Sequence, residues 1–169
     1  PDAKNDLATT FLSRIADASQ DGGARALVLP QSWLFQGTYR TLRTELLRTE
    51  SWKIVADLGA HAFRTIGGEV VKVILLTLAR VKPCSGSSVA WVDASGLPTV
   101  EEKECAIRGA VVPSGGVPTS ISWLAQKAQS EKAGAIVGLS GESEFPSLSS
   151  LCAISEGIQT GDVDRHQFC

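Results

Sequence analysis

The stretch DGGARALVLPQSW (residues 21–33) places a short apolar run, residues 24–29, between a Gly-Gly pair and a proline. Glycine pairs and prolines interrupt regular elements, and the space between them is too short for a helix. The run is therefore predicted to be a buried strand. Apolar side chains recur at helical spacing over residues 2–20, which predicts a helix just before it. Helix, glycine turn and buried strand make half of an α/β unit.

The same alternation continues downstream. Residues 38–49 predict a second helix, residues 52–58 a second strand, and the β-branched run at 70–81 a third strand. Only the loop 59–68 joins the last two strands, and a parallel crossover needs about a dozen residues or more. We therefore expect this pair to be antiparallel. The expected fold is α/β: a Rossmann-like, mainly parallel sheet covered by helices, with an antiparallel edge strand.

The second half of the chain is less periodic. Residues 89–92 predict an edge strand, and Thr99 followed by Glu102 predicts a capping box at the start of a helix. Residues 120–132 predict a further helix. Glycine, serine and proline dominate residues 134–150, which predicts a loop or linker. This half is accordingly expected to be an insertion, an edge extension of the sheet, or a linker.

Charge and composition exclude several classes of protein. The formal net charge is -2, so the chain by itself has no basic footprint for nucleic acid. Neither a bilayer-spanning apolar run nor a signal peptide occurs in the sequence, and we expect a cytoplasmic protein without membrane contact. The four cysteines form no C-x-x-C pair. They are interpreted as free thiols, and no metal site is expected.

Several stretches of the sequence carry a resemblance to one family. They are residues 1–7 (PDAKNDL), 31–35 (QSWLF), 39–43 (YRTLR), 57–59 (DLG), 62–63 (AF), 66–71 (IGGEVV) and 157–162 (GIQTGD). Together these stretches resemble the adenine-specific DNA methylases, in particular the large enzymes of the BREX phage-exclusion type and their relatives. The resemblance covers about half of the chain and implies part of a class I methyltransferase sheet.

The resemblance also implies a division of the chain. Residues 1–82 correspond to the C-terminal half of the catalytic domain, residues 83–150 to an uncertain extension or linker, and residues 151–169 to the start of a target-recognition region. The family's glycine-rich loop, which holds S-adenosylmethionine, and its Asn-Pro-Pro-Tyr motif are missing from the sequence. We therefore expect an internal piece of a longer enzyme, with no catalytic or cofactor-binding residue of its own and no activity alone.

By this resemblance, Phe63 stacks against the target base. Methylating adenine in duplex DNA requires the base to leave the helix, at a cost of a few kcal/mol. Stacking on an aromatic side chain returns about 1–3 kcal/mol per base. The alternative is a core phenylalanine that anchors its loop. Gly67 and Gly68 either let the DNA backbone approach closely or simply form a turn.

Further candidate DNA contacts each have a structural alternative. Arg43, on the second predicted helix, either contacts phosphate or belongs to a solvated helix face. Thr160 and Asp162 either line the DNA cleft or lie in a glycine-rich turn at a domain boundary. Trp33 and Phe35 follow a strand, where α/β sheets build their sites, but they also suit packing of the next helix.

The function expected from the sequence is that of a fragment of an S-adenosylmethionine-dependent DNA adenine-N6 methyltransferase, in restriction–modification or phage defence. Double-stranded DNA is the expected partner of the full-length protein, together with other defence-system subunits. One alternative is a non-catalytic DNA-binding or protein-interaction module that retains part of the methylase fold. A weaker alternative is a methylase that acts on RNA or protein.

Overall fold

A computed structural model describes residues 7–63, 71–111 and 121–139. The chain's internal contacts separate residues 1–139 from residues 140–169, so all described residues belong to the first unit. The elements, in chain order, are α1 (Leu7–Ala18), β1 (Ala24–Pro30), α2 (Arg40–Thr49), β2 (Ser51–Gly59), β3 (Val73–Ala79), β4 (Ser88–Asp93), α3 (Val100–Val111), β5 (Ile121–Ala125) and α4 (Gln126–Glu131). The predictions of α1, β1, α2, β2 and β3 are confirmed.

The strands form one five-stranded sheet in the order β1-β3-β2-β4-β5. Strands β2 and β4 are parallel, whereas the β1–β3, β2–β3 and β4–β5 pairs are antiparallel. Consequently β1, β2 and β4 all run in one direction, and their carboxyl ends lie at the same edge of the sheet. The α/β class and the antiparallel pairing of β2 with β3 are confirmed.

The position of the antiparallel strand differs from the expectation. Strand β3 lies between β1 and β2 rather than at an edge, and antiparallel pairs are the majority among the described strands. The crossover through α2 places β1 and β2 parallel but one strand apart, and β3 pairs with both of them. An antiparallel strand between two parallel ones uses the backbone hydrogen-bonding groups on both of its sides, which an edge strand would leave unpaired on one side.

Two expectations for the second half are wrong. Strand β4 is interior, because β5 covers its outer side. Residues 121–125 do not begin a helix but pair with β4, and the helix is confined to α4. A short apolar run is compatible with either a helix or a strand. Here residues 121–125 form a strand because β4 offers them a free edge for backbone hydrogen bonds. The described part of residues 83–150 thus continues the sheet, which was one of the three alternatives.

The expected capping box is present at the start of α3. The backbone N–H of Glu102 donates to Thr99 Oγ1 at 3.2 Å, and the N–H of Thr99 donates to Glu102 Oε2 at 3.2 Å. These two bonds satisfy donors that a helix N-terminus otherwise leaves free. They fix where α3 begins relative to the end of β4.

Two apolar clusters lie against the sheet. Alternate residues of β3 point to opposite faces of the sheet, as strand geometry requires. Leu76 and Leu78 belong to the larger cluster, together with side chains of α1 and α2. Val73 belongs to the smaller cluster, together with side chains of α3. In the larger cluster the rings of Trp33 and Trp52 stack with their centroids 5.6 Å apart. The site described below lies beside the smaller cluster.

The described sheet has an exposed strand at each end. Val28 on β1 and Trp123 on β5 are exposed, Trp123 to 68%. On α1, the exposed Phe11 borders an apolar groove that β1 lines on its other side. Among the described residues, no helix is long and apolar enough to cross a membrane.

Candidate functional site

The shared carboxyl edge of β1, β2 and β4 brings polar side chains together. Gln31 directly follows β1, Asp57 lies near the end of β2, and Asp93 ends β4. The Gln31 side-chain amide donates to Asp57 Oδ2 at 2.6 Å. In open α/β sheets, ligands bind outside the carboxyl ends of the strands. This edge is therefore the candidate site.

Asp57 organises the edge from within. Burial raises the pKa of the Asp57 carboxyl, and the nearby Asp93 charge raises it further. Hydrogen bonds from the Gly59 backbone and the Gln31 side chain, and the charge of Lys72, lower this pKa and so offset part of the rise. The Gly59 N–H donates to Asp57 Oδ1 at 3.0 Å. Both carboxyl oxygens are thus bound within the protein. Asp57 holds the strand ends together rather than presenting a free carboxylate.

Two residues outside β2, Ser95 and Lys103, contact the turn that follows this strand. Gly59 has a φ of +60°, and a Cβ at this position would lie 2.9 Å from atoms of Ser95. Only glycine combines this backbone conformation with this close approach. From α3, the buried Lys103 donates from Nζ to the carbonyl oxygen of Leu58 and, at 2.7 Å, to that of Ala60. The direction in which the chain leaves β2 is therefore fixed.

This turn leads into the loop that carries Phe63. His61 adopts a φ of 57°, an uncommon conformation for a residue other than glycine. Ala62 packs against the smaller cluster, and Phe63 is 42% exposed. This exposure is not what a core phenylalanine that anchors its loop would show. Base stacking by Phe63 stays a prediction. Gly67, Gly68, Thr160 and Asp162 lie outside the described residues.

Arg43 is fully buried, which corrects the expectation that it contacts DNA. Its guanidinium donates to four backbone carbonyl oxygens: those of Trp33 at 2.6 Å, Gln36 at 2.7 Å, Gly134 at 2.7 Å and Ala135 at 3.1 Å. A side chain committed in this way cannot reach a phosphate, nor does it form a solvated helix face. Arg43 instead ties α2 to the chain that follows α4.

The two aromatic residues beyond β1 have different environments. Trp33 is fully buried in the larger cluster, so it packs the fold, as the structural alternative proposed. Phe35 is exposed. Lys103 and the Gln31–Asp57 pair were not singled out from the sequence. The two partners of Lys103 are 45 and 43 residues away along the chain, and Gln31 and Asp57 are 26 residues apart. No local sequence pattern can therefore predict these contacts.

The turn after β2 offers no open space or unbound carboxyl oxygen for S-adenosylmethionine. The glycine at the end of β2 has its free side filled by Ser95, and the nearby Asp57 carboxyl is already bound on both oxygens. In the described ranges, three or more histidine, cysteine, aspartate or glutamate side chains nowhere gather into a group that could hold a metal ion.

Several solved structures share this fold. The chain superposes on a methyltransferase subunit of a type I restriction–modification system from Streptococcus thermophilus with a TM-score of 0.50 and 20% identity, covering 79% of this chain and 29% of that one. A chain of another type I restriction–modification complex gives a TM-score of 0.50 and 19% identity, covering 78% and 32%. At these identities the likeness establishes the fold, which is that of a methyltransferase.

Two curated relatives narrow the class. The chain is 33% identical over 84 residues to the adenine-specific methyltransferase PglX of Lacticaseibacillus casei (strain Zhang), and 40% identical over 72 residues to the adenine-specific methyltransferase BrxX of Escherichia coli O9:H4 (strain HS). The matches cover 48% and 43% of this chain but 7% and 6% of those proteins. No protein-family model matches the chain. The expected resemblance to adenine-specific methyltransferases is confirmed.

Proposed function

We propose that this chain serves an S-adenosylmethionine-dependent DNA adenine-N6 methyltransferase of the BREX or restriction–modification type, which acts in the cytoplasm on double-stranded DNA beside other defence-system subunits. Support comes from the two adenine-specific relatives and from the methyltransferase fold. Because the chain spans only a small part of each relative, the activity is that of the full-length enzyme. The chain supplies one wall of the site that receives the base.

The observation that carries this proposal is the exposed Phe63 at the carboxyl edge. The chain leaves β2 towards Phe63 through a turn in which Gly59 binds the Asp57 carboxyl and contacts Ser95. A flipped adenine loses its stacking partners in the duplex, and an aromatic ring replaces one of them. Cofactor binding and polarisation of the adenine amino group are left to other parts of the full-length enzyme.

The test is the transfer of labelled methyl groups to unmethylated plasmid DNA by the full-length enzyme. Stacking worth about 1–3 kcal/mol corresponds to a roughly 5- to 150-fold loss of kcat/KM for DNA in Phe63→Ala. The KM for S-adenosylmethionine is expected to stay unchanged. The matched control is Phe11→Ala, which removes another exposed phenylalanine from α1, away from the carboxyl edge.

Two outcomes would contradict the proposal. Equal activity of Phe63→Ala and the control would remove Phe63 from the base site. Absence of any methyl transfer by the full-length enzyme, with S-adenosylmethionine supplied, would favour the non-catalytic DNA-binding or interaction module. DNA retention on a filter in the absence of methylation would then separate those two functions.

A further inference from the structure

Lys103 is a buried cation to which the proposed function gives no role. It lies on α3 and is 2% exposed, within residues 83–150, to which the resemblance assigned only an extension or linker. Removing an ammonium group from water is unfavourable unless its N–H groups find partners, and burial lowers the pKa of Lys103. A lysine at such a position is therefore held by specific contacts.

Those contacts are the two carbonyl groups that flank Gly59. Lys103 Nζ donates to the Leu58 oxygen and, at 2.7 Å, to the Ala60 oxygen. Near the Asp57–Gly59 end of β2 the pairing with β3 is already irregular, so the sheet itself constrains this backbone less. An ammonium binding both carbonyls brings them together across the turn. Ser95 restricts the same turn, because a Cβ at Gly59 would lie 2.9 Å from its atoms.

Phe63 follows Ala60 by three residues. Between them His61 holds its unusual backbone conformation and Ala62 packs onto the smaller cluster near α3. A change in direction at Ala60 is therefore carried to the Phe63 ring. Displacing a group at a reacting site by about 1 Å can cost a factor of about 100 in rate. The position of the backbone at Ala60 is therefore expected to affect the rate of methyl transfer.

We propose that Lys103 is a positioning residue, which binds the Leu58 and Ala60 carbonyls and thereby aims Phe63 at the target base. The inference rests on the proposed function and deepens it. It also gives α3 a role: the extension after β3 sets the geometry of the loop that faces DNA. Lys103 acts through Phe63 and does not itself touch the base.

The test uses the full-length enzyme with Lys103→Met, which keeps the apolar stem and removes the ammonium. The kcat/KM for unmethylated plasmid DNA is expected to fall by roughly fivefold or more, approaching the loss in Phe63→Ala. The KM for S-adenosylmethionine should not change, a split that general destabilisation would not produce. Lys103→Arg, which keeps a cationic donor, should recover most of the activity.

The decisive comparison is the double variant. If Lys103 acts only through Phe63, adding Lys103→Met to Phe63→Ala causes no further loss of kcat/KM. Without the Phe63 ring there is nothing left for Lys103 to position, so the two effects do not add. The matched control is Lys127→Met, at an exposed lysine of α4, which should behave as the unsubstituted enzyme. Circular dichroism at the assay temperature confirms folding; if Lys103→Met is unfolded, Lys103→Gln replaces it throughout.

The outcomes separate the two proposals. Losses that multiply in the double variant, or Lys103 variants as active as Lys127→Met, overturn the positioning role and leave the stacking role of Phe63 intact. Full activity of Phe63→Ala contradicts the stacking role itself, and the positioning role falls with it. A smaller loss in Lys103→Met than in Phe63→Ala, with none added in the double variant, supports both.

Discussion

Arg43 lies on the apolar stripe of α2, and the spacing of its apolar neighbours in the sequence predicts its burial. It is four residues after Tyr39 and three and four residues before Leu46 and Leu47, all of which are buried. Residues at these spacings share one face of a helix, so an arginine among them belongs inside. Burial lowers the pKa of Arg43, and five N–H donors let one guanidinium satisfy several carbonyls at once.

We expect Arg43→Met to lower the free energy of unfolding by about 3 kcal/mol or more, since each buried acceptor left without a partner costs about 1–3 kcal/mol. Urea denaturation of the 169-residue chain followed by circular dichroism measures the change. Arg40→Met, at an exposed arginine of the same helix, should stay within about 0.5 kcal/mol. A change below that margin in Arg43→Met would refute the structural role.

At the scale of elements, α4 is joined to the β2 strand by one side chain. Gln126 is almost fully buried. Its Oε1 accepts the N–H of Trp52 at 3.0 Å, and its Nε2 donates to the carbonyls of Leu47 at 2.9 Å and Glu50 at 2.7 Å. The short α4 has too few turns to be stable alone. These bonds attach it where α2 passes into β2.

Replacing Gln126 by leucine keeps much of the volume but leaves three backbone groups without their partner. We expect Gln126→Leu to lower the free energy of unfolding by about 2–4 kcal/mol and to speed hydrogen exchange at the Trp52 amide, measured by NMR. Lys127→Leu, at the exposed neighbouring position, serves as the control and should change neither quantity. Unchanged exchange at Trp52 in Gln126→Leu would show that α4 is held by other contacts.

The elements that sequence patterns could predict are those whose signal is local. Helical spacing and bounded apolar runs were sufficient for α1 to β3, and Thr99 with Glu102 marked the start of α3. Strand β5 was missed because its identity depends on the free side of β4. At the candidate site, Phe63 was selected by resemblance, whereas Lys103 and the Gln31–Asp57 pair arise only when separate strand ends and α3 meet.

In the part of the molecule that the structure describes, β1 forms one edge of the sheet and pairs with no described strand on its outer side. An edge strand presents unpaired backbone groups to other chains, and here it also exposes Val28 beside the groove under α1. Apolar surface next to an edge that no described strand pairs with favours contacts between chains. The isolated 169-residue chain is therefore expected to associate with itself as its concentration rises.

A lysine on this strand should weaken that association, because charge on an edge strand opposes strand pairing. We expect Val28→Lys to shift the chain towards the monomer in sedimentation velocity over a concentration series. Val81→Lys makes the same change at a comparably exposed valine outside the strands and should leave the distribution unaltered. Equal shifts in both variants would attribute the effect to net charge rather than to β1.

The placement of the four tryptophans provides separate optical reporters. Trp33 and Trp52 are stacked and fully buried, Trp91 is buried, and Trp123 stands exposed on β5. A water-soluble quencher such as acrylamide therefore reaches Trp123 long before it reaches the stacked pair. Quenchable emission tells whether another surface covers β5, while the wavelength of the protected emission reports the integrity of the core. One titration of the unlabelled chain thus distinguishes docking from unfolding.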